Sequence, residues 1–334
     1  MRNYPVIALF ASVLLGQTPT EPNVDRTFYF TQATTAQGFQ EAAATIRSIA
    51  NIRQATLDQE KKSLAVQAPA DQVALAQWLY NELDQKAPSL GDDPSSREYR
   101  IPGNADEVVR IFYRTRARTP QELVEQATMV RSITNMRQVF TYNERSAVVM
   151  RAPAGQMALA EWLFADLDKH ATAPVNQHLS SPEYRASDNR DGENIVRVFY
   201  LGYAPTAQDF VELTTLTRSI ANLRQVFQYN ALRAVAMRGT AGQMALAAWL
   251  LNQIDRPAKE QVAASYQVPE SKDDVVRVLY LSNTATPQEF VKFATRIRSE
   301  ANVQKAFTYT TPRAFAIRGT SEQVALAEQV SRQQ

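Results

Sequence analysis

Cysteine is absent from the 334 residues, which removes disulfide staples, thiolate metal sites and thiol nucleophiles together. Histidine is almost absent. His170 and His178 both fall between repeated units, and neither recurs in another unit. The chain has 10 glycines, and no phosphate-cradling Gly-x-x-x-x-Gly-Lys, Gly-x-Ser-x-Gly elbow or His-Glu-x-x-His is present. Neither sign of charge dominates: 36 basic against 34 acidic residues leave a net +2, so no global field selects nucleic acid or anionic lipid. Nor does any run reach the ~20 apolar residues that span a bilayer.

The N-terminus, MRNYPVIALFASVLLGQTPT, sets a basic start at Arg2 before an apolar run from Val6 to Leu15 and a polar exit. That is a secretory signal pattern. Residues 1–20 are expected to be a cleavable signal peptide, with a periplasmic or secreted mature chain that has no membrane span. With no cysteine after the run, a lipid-anchored terminus is excluded.

The chain then repeats itself. Arg-Ser-x-x-Asn opens four related stretches, at Arg47, Arg131, Arg218 and Arg298, spaced by 84, 87 and 80 residues. A period that long exceeds a solenoid unit of about 20 to 50 residues and suits one small domain per repeat. The divisions are module 1 at 25–84, linker 85–107, module 2 at 108–168, linker 169–193, module 3 at 194–255, linker 256–273 and module 4 at 274–330.

Module 2 shows the pattern most plainly. Val108 to Tyr113 is β-branched and aromatic, a strand. Thr119-Pro120-Gln121-Glu122 supplies an N-cap, a first-turn proline and a capping glutamate for a helix that Asn135 stops. Gln138–Tyr142 and Ala147–Met150 read as a hairpin. Met157, Ala160, Leu163, Phe164 and Leu167 keep helical spacing to Asp168. Thr240 and Thr320 open similar capping sequences in modules 3 and 4. The order is βαββα, and the expected class is α+β: four modules, each a three-stranded sheet with two helices on one face. Module 1 is the most divergent, with Ala55-Thr56-Leu57-Asp58 at its second strand, and module 4 has Gln329 where the others carry Trp78, Trp162 and Trp249. Terminal repeats of an array are expected to be atypical.

Three recurring sets are candidates for interaction. Phe140 and Tyr142, Phe227 and Tyr229, and Phe307 and Tyr309 alternate along second strands, so they point away from the helices or into an edge contact. They form either a patch for a partner or packing against the adjacent linker. Tyr99, Tyr184 and Tyr266 recur within the linkers and are expected to dock onto a module, fixing the angle between neighbours. The tryptophans read as core or inter-module packing. Arg110, Arg197 and Arg277, with Arg151, Arg238 and Arg318, either hold an anionic ligand or form ion pairs and caps within each module. No cofactor, metal, catalytic residue or small-molecule ligand is expected, and four copies without an added catalytic group argue against an enzyme.

The Val-rich first strand, Arg238-Gly239-Thr240, the Gln243 to Ala247 stretch and the closing Ile254-Asp255 or Leu167-Asp168 resemble the short periplasmic N-terminal domains of bacterial secretins, from about Asp25 to Val330. The resemblance implies a KH-like βαββα fold and stacking of the modules. Secretins carry a long glycine-rich β-barrel, which 10 glycines do not supply, so a protein that is not itself the pore is expected. The chain is then expected to be an exported scaffold or protein-interaction module working through sheet edges and module faces. The alternative is a pore-less component of a secretin-like ring in a secretion or pilus assembly. KH-like topology also suggests RNA, but the Gly-x-x-Gly loop of KH domains is expected to be missing, and the near-neutral charge and export speak against nucleic acid.

Overall fold

The computed structural model describes residues 22–86, 96–114, 116–171, 177–188, 192–269 and 273–333; the expected signal peptide lies outside them. Module 1 runs β1 (Val24–Tyr29), α1 (Ala36–Ile49), β2 (Gln54–Asp58), β3 (Ser63–Ala68) and α2 (Ala70–Leu83). Module 2 adds a strand in front: β4 (Ser96–Arg100), β5 (Glu107–Tyr113), α3 (Pro120–Thr134), β6 (Gln138–Tyr142), β7 (Ala147–Pro153) and α4 (Ala154–His170). Module 3 holds β8 (Leu179–Ser180), β9 (Tyr184–Arg185), β10 (Ile195–Tyr200), α5 (Ala207–Ile220), β11 (Gln225–Tyr229), β12 (Ala234–Gly239) and α6 (Ala241–Ile254). Module 4 closes with β13 (Ala264–Gln267), β14 (Val275–Tyr280), α7 (Pro287–Glu300), β15 (Lys305–Tyr309), β16 (Ala314–Gly319) and α8 (Ser321–Ser331). The fold is α+β, in four separate antiparallel sheets.

Local chemistry places these elements. Thr119, Thr206, Thr286 and Thr320 each accept a bond from the backbone N–H three residues on, the last three within complete capping boxes. The asparagines of the Arg-Ser-x-x-Asn repeat, Asn51, Asn135, Asn222 and Asn302, all take positive φ of 50° to 59°, the left-handed stop that asparagine tolerates better than most residues. In each sheet the third strand lies between the first and second. β1-β3-β2 is the plain three-stranded form.

The other sheets depart from the three-stranded expectation. Part of each expected linker is an antiparallel strand on the outer edge of the next module's first strand: β4 on β5, β8 and β9 on β10, β13 on β14. Pairing there satisfies backbone groups that an edge strand otherwise leaves to solvent.

A second departure concerns the faces. Each sheet of modules 2 to 4 has two buried faces, one on its own helices and one on the helices of the preceding module. One continuous core joins Leu123, Met129 and Leu163 of module 2 to Val196, Val198 and Tyr229 of module 3. Another joins Ile46 and Leu79 of module 1 to Val109, Ile111 and Val149 of module 2. A third does the same across modules 3 and 4, while the last core is made by module 4 alone. The chain is therefore layered: sheet, helix pair, sheet, helix pair, through four modules.

Candidate functional site

The candidate aromatics lie inside this stack. The strand period sends Val139 and Thr141 toward the module's own helices and Phe140 and Tyr142 to the other face, against α1. Tyr142, Tyr229 and Tyr309 are 1%, 3% and 2% exposed, and Phe140, Phe227 and Phe307 are half-buried. The reading of an open aromatic patch is thereby corrected: the preceding module occupies that face. Packing on the linker is not what covers it either, since the cover is helical. Burial pushes the Tyr142 and Tyr309 hydroxyls up from the ordinary tyrosine range.

Polar residues lock the register at every junction. Arg151 Nη1 donates to the Ile49 carbonyl at 3.0 Å, Arg238 Nη1 to that of Ile133 at 3.0 Å, and Arg318 Nη1 to that of Ile220 at 2.8 Å. Each guanidinium thus meets the C-terminal end of the preceding module's first helix, where free carbonyls and the helix dipole favour a cation. Its other arm pairs within its own module, with Glu107, Asp188 or Asp274 at 2.8, 3.0 and 2.5 Å. These arginines are consumed by capping and ion pairing, and the capping runs between modules. Beside them, Gln138 and Gln225 donate to the carbonyls of Ser48 and Ser132, and Lys305 reaches Asn222 Oδ1 at 2.6 Å. That gives Ser and Asn of the signature repeat a shared role at the joints.

Glu41, Glu125 and Glu212, one on each first helix, accept from the hairpin turn of the following module at Asn143, Asn230 and Thr310. At the first junction the traffic runs both ways. Glu144 accepts from the backbone N–H groups of Thr34 and Thr35, at 3.1 and 2.9 Å, and from both hydroxyls. It supplies, from the next module, the carboxylate that Glu122, Asp209 and Glu289 supply within theirs. The corresponding position of α1 is Gly38, and a Cβ there would lie 2.1 Å from Glu144 Cδ.

The linker tyrosines bridge modules. Tyr99, Tyr184 and Tyr266 pack on Trp78, Trp162 and Trp249 of the preceding module's second helix, with ring centroids 5.3, 5.1 and 5.3 Å apart. Asp84 and Asp255 cap the ends of those second helices, Asp168 lies in the last turn of α4, and all three tie down the loop after the first strand. Asp84 and Asp255 accept from backbone N–H groups, and Asp168 pairs with Arg114 at 2.7 Å through two bonds. His178 joins Asp255 at 2.7 Å, and His170 stacks on Tyr200, whose hydroxyl donates to Asp166. Burial raises the Asp166 carboxyl despite the Tyr200 bond. The Gly-x-x-Gly expected to be missing is in fact present, Gly239 to Gly242, where it forms the turn into α6 capped by Thr240.

The two end faces differ from the joints. On the open face of module 1, Asp25, Thr27, Thr56, Asp58 and Gln67 stand where module 2 has Val109, Ile111, Phe140, Tyr142 and Arg151. On module 4, Arg296 and Glu300 replace Leu216 and Ile220, which are 1% and 0% exposed, and pair with each other at 2.7 Å. Leu326 is 41% exposed where Leu159 and Leu246 are 1% and 3%. Among the described residues no helix is long and apolar enough to cross a membrane, and no group of three His, Cys, Asp or Glu could hold a metal ion.

No protein-family model matches the chain, and no match arises among curated proteins. Among solved structures the chain is similar to Aeromonas hydrophila ExeD, at 14% identity over 90% of this chain and 60% of that one, with a TM-score of 0.16. It is also similar to the type II secretion system secretin GspD of E. coli K12, at 10% identity over 90% and 59%, with a TM-score of 0.16. An aspartate kinase from Synechocystis scores beside them at 11% identity over 93% and 53%, with a TM-score of 0.17. The chain spans about 60% of the length of the secretin chains it matches. The link to secretins is a weak one: at these TM-scores none of the three chains superposes as a whole.

Proposed function

We propose that this chain is an exported, non-enzymatic scaffold: a stiff column of four modules that presents its flanks and strand edges to protein partners in the periplasm or outside the cell. The observation that carries the reading is the double burial of the sheets in modules 2 to 4. A sheet with helices on both faces, and an arginine capping the helix below, has no freedom to swing about its linker. Titratable side chains that could serve chemistry are spent on structure: Arg238 and Glu144 on joints and Asp255 on a loop of its own module, each with several protein partners. The apolar Val6 to Leu15 run supports export.

The second reading, a pore-less ring component, is favoured by one observation. Val124, Val211 and Val291 occupy the same position on three successive first helices and are 41%, 43% and 45% exposed, a repeating apolar stripe along one flank. Light scattering separates the two. A monomer across a hundredfold range of concentration supports the column acting on outside partners, and a closed oligomer that Val211→Lys dissolves supports the ring.

A further inference from the structure

In modules 2, 3 and 4 the outer edge of the first strand is covered, whereas among the described residues nothing pairs with that edge of β1. The covering strands share a chemistry. Glu98 lies directly opposite Arg110 and forms a salt bridge with it, Ser265 lies opposite Arg277 and accepts from it at 2.8 Å, and Ser180 accepts from Arg197 at 2.7 Å. Arg26 is the same residue in module 1, set against Val66 of β3 as Arg110 is against Met150 of β7. It is exposed and has no hydrogen bond or ion pair among the described residues, and Gln77 stands on α2 where α4 has Glu161, the second partner of Arg110.

The sequence before Arg26 holds no acceptor side chain at the spacings that the other modules use. Glu98 precedes Arg110 by 12 residues, Ser265 precedes Arg277 by 12, and Ser180 precedes Arg197 by 17. The same spacings from Arg26 reach Leu14 and Leu9, whose side chains carry no hydrogen-bond acceptor.

We propose that the free edge of β1 is a docking site for an extended segment of a separate polypeptide, antiparallel to Val24–Tyr29, with a glutamate or serine opposite Arg26. This rests on the scaffold reading and names the partner's chemistry at one edge. Backbone bonds give such an added strand its hold, and the Arg26 partner sets its register.

The probe is a dye-labelled peptide of residues 94–102, which spans the Ser96–Arg100 strand and carries Glu98. It is titrated into the whole chain by fluorescence anisotropy, with amide hydrogen exchange as the second readout. Expected are one peptide per chain, slowed exchange at Val24–Tyr29, at least tenfold weaker binding by Arg26→Glu, and recovery when that variant meets a peptide carrying Glu98→Lys. Arg26 is exposed, and circular dichroism verifies that its variant folds. Absence of saturable binding at millimolar peptide overturns the inference. So does equal binding by Arg26→Glu, or faster exchange at Ser96–Arg100, which marks displacement of β4. An unchanged scattering profile alongside any of these shows that the docking idea fails while the column stands.

Discussion

Gly38 is a glycine for the sake of a residue on another module. At the third position of a helix the other modules place their capping carboxylates, but α1 leaves that space open and Glu144 enters it. Gly38→Ala should therefore cost about 1 kcal/mol, the scale of a lost helix cap, even though alanine favours helix over glycine. In a Glu144→Ala background the same change should be neutral or stabilising, and urea denaturation of the four-variant cycle checks the reversal. Burial tends to raise the Glu144 carboxyl, but bonds from Thr35 and Thr34 outweigh it and hold the group below its ordinary range. A depressed carboxylate contributes stability that is present above its unfolded value of 4.5 and is lost as pH falls through the lower folded value. The protection factors of α1 amides, which divide out the slowing of intrinsic exchange in acid, should therefore fall below pH 4.5, and Glu144→Gln should flatten that dependence. Arg238, 1% exposed, bonds two modules at once. Arg238→Met should destabilise by about 3 kcal/mol or more, and Arg238→Lys should restore little, because a single ammonium cannot span the fork. Full rescue by lysine in thermal unfolding would contradict the role given to that arginine.

At the scale of elements, helices and hairpins were legible wherever local chemistry decides them. Thr119-Pro120-Gln121-Glu122 caps a helix by its own atoms, and asparagine ends one by its own φ, so neither needs the tertiary fold. The added strands were not legible. Ser96-Arg97-Glu98-Tyr99-Arg100 has no alternating apolar face, because an edge strand half open to water needs none. The tyrosine alone betrayed it, and its partner, Trp78, lies in another module. Strand periodicity likewise showed that Phe140 and Tyr142 leave their own helices, but not what receives them. Trp162 and Tyr184 should be strongly coupled: each alanine substitution should cost about 1 kcal/mol in ring contact beyond lost area, with little further cost in the double variant. Additive losses would mean that the ring contact does not hold the edge strand.

For the whole molecule, one pattern explains both the repeat and its exceptions. Every internal joint sets an apolar sheet face on a helix pair, and the two outermost faces exchange those residues for Asp25, Asp58, Arg296 and Glu300. That is how a stack of units keeps its ends from sticking. The divergence of module 1 and the odd close of module 4, visible in sequence, thus have one physical cause. Eight layers at roughly 10 Å each give a column about 80 Å long. Small-angle X-ray scattering of the monomer tests the claim most directly. A stiff column of this length and mass should give a radius of gyration of about 25 Å, against about 20 Å for a compact globule of equal length. A single elongated profile near the larger value, unchanged by salt, is the predicted result; a value near 20 Å, or a profile that fits only a flexible string of separate modules, would contradict it.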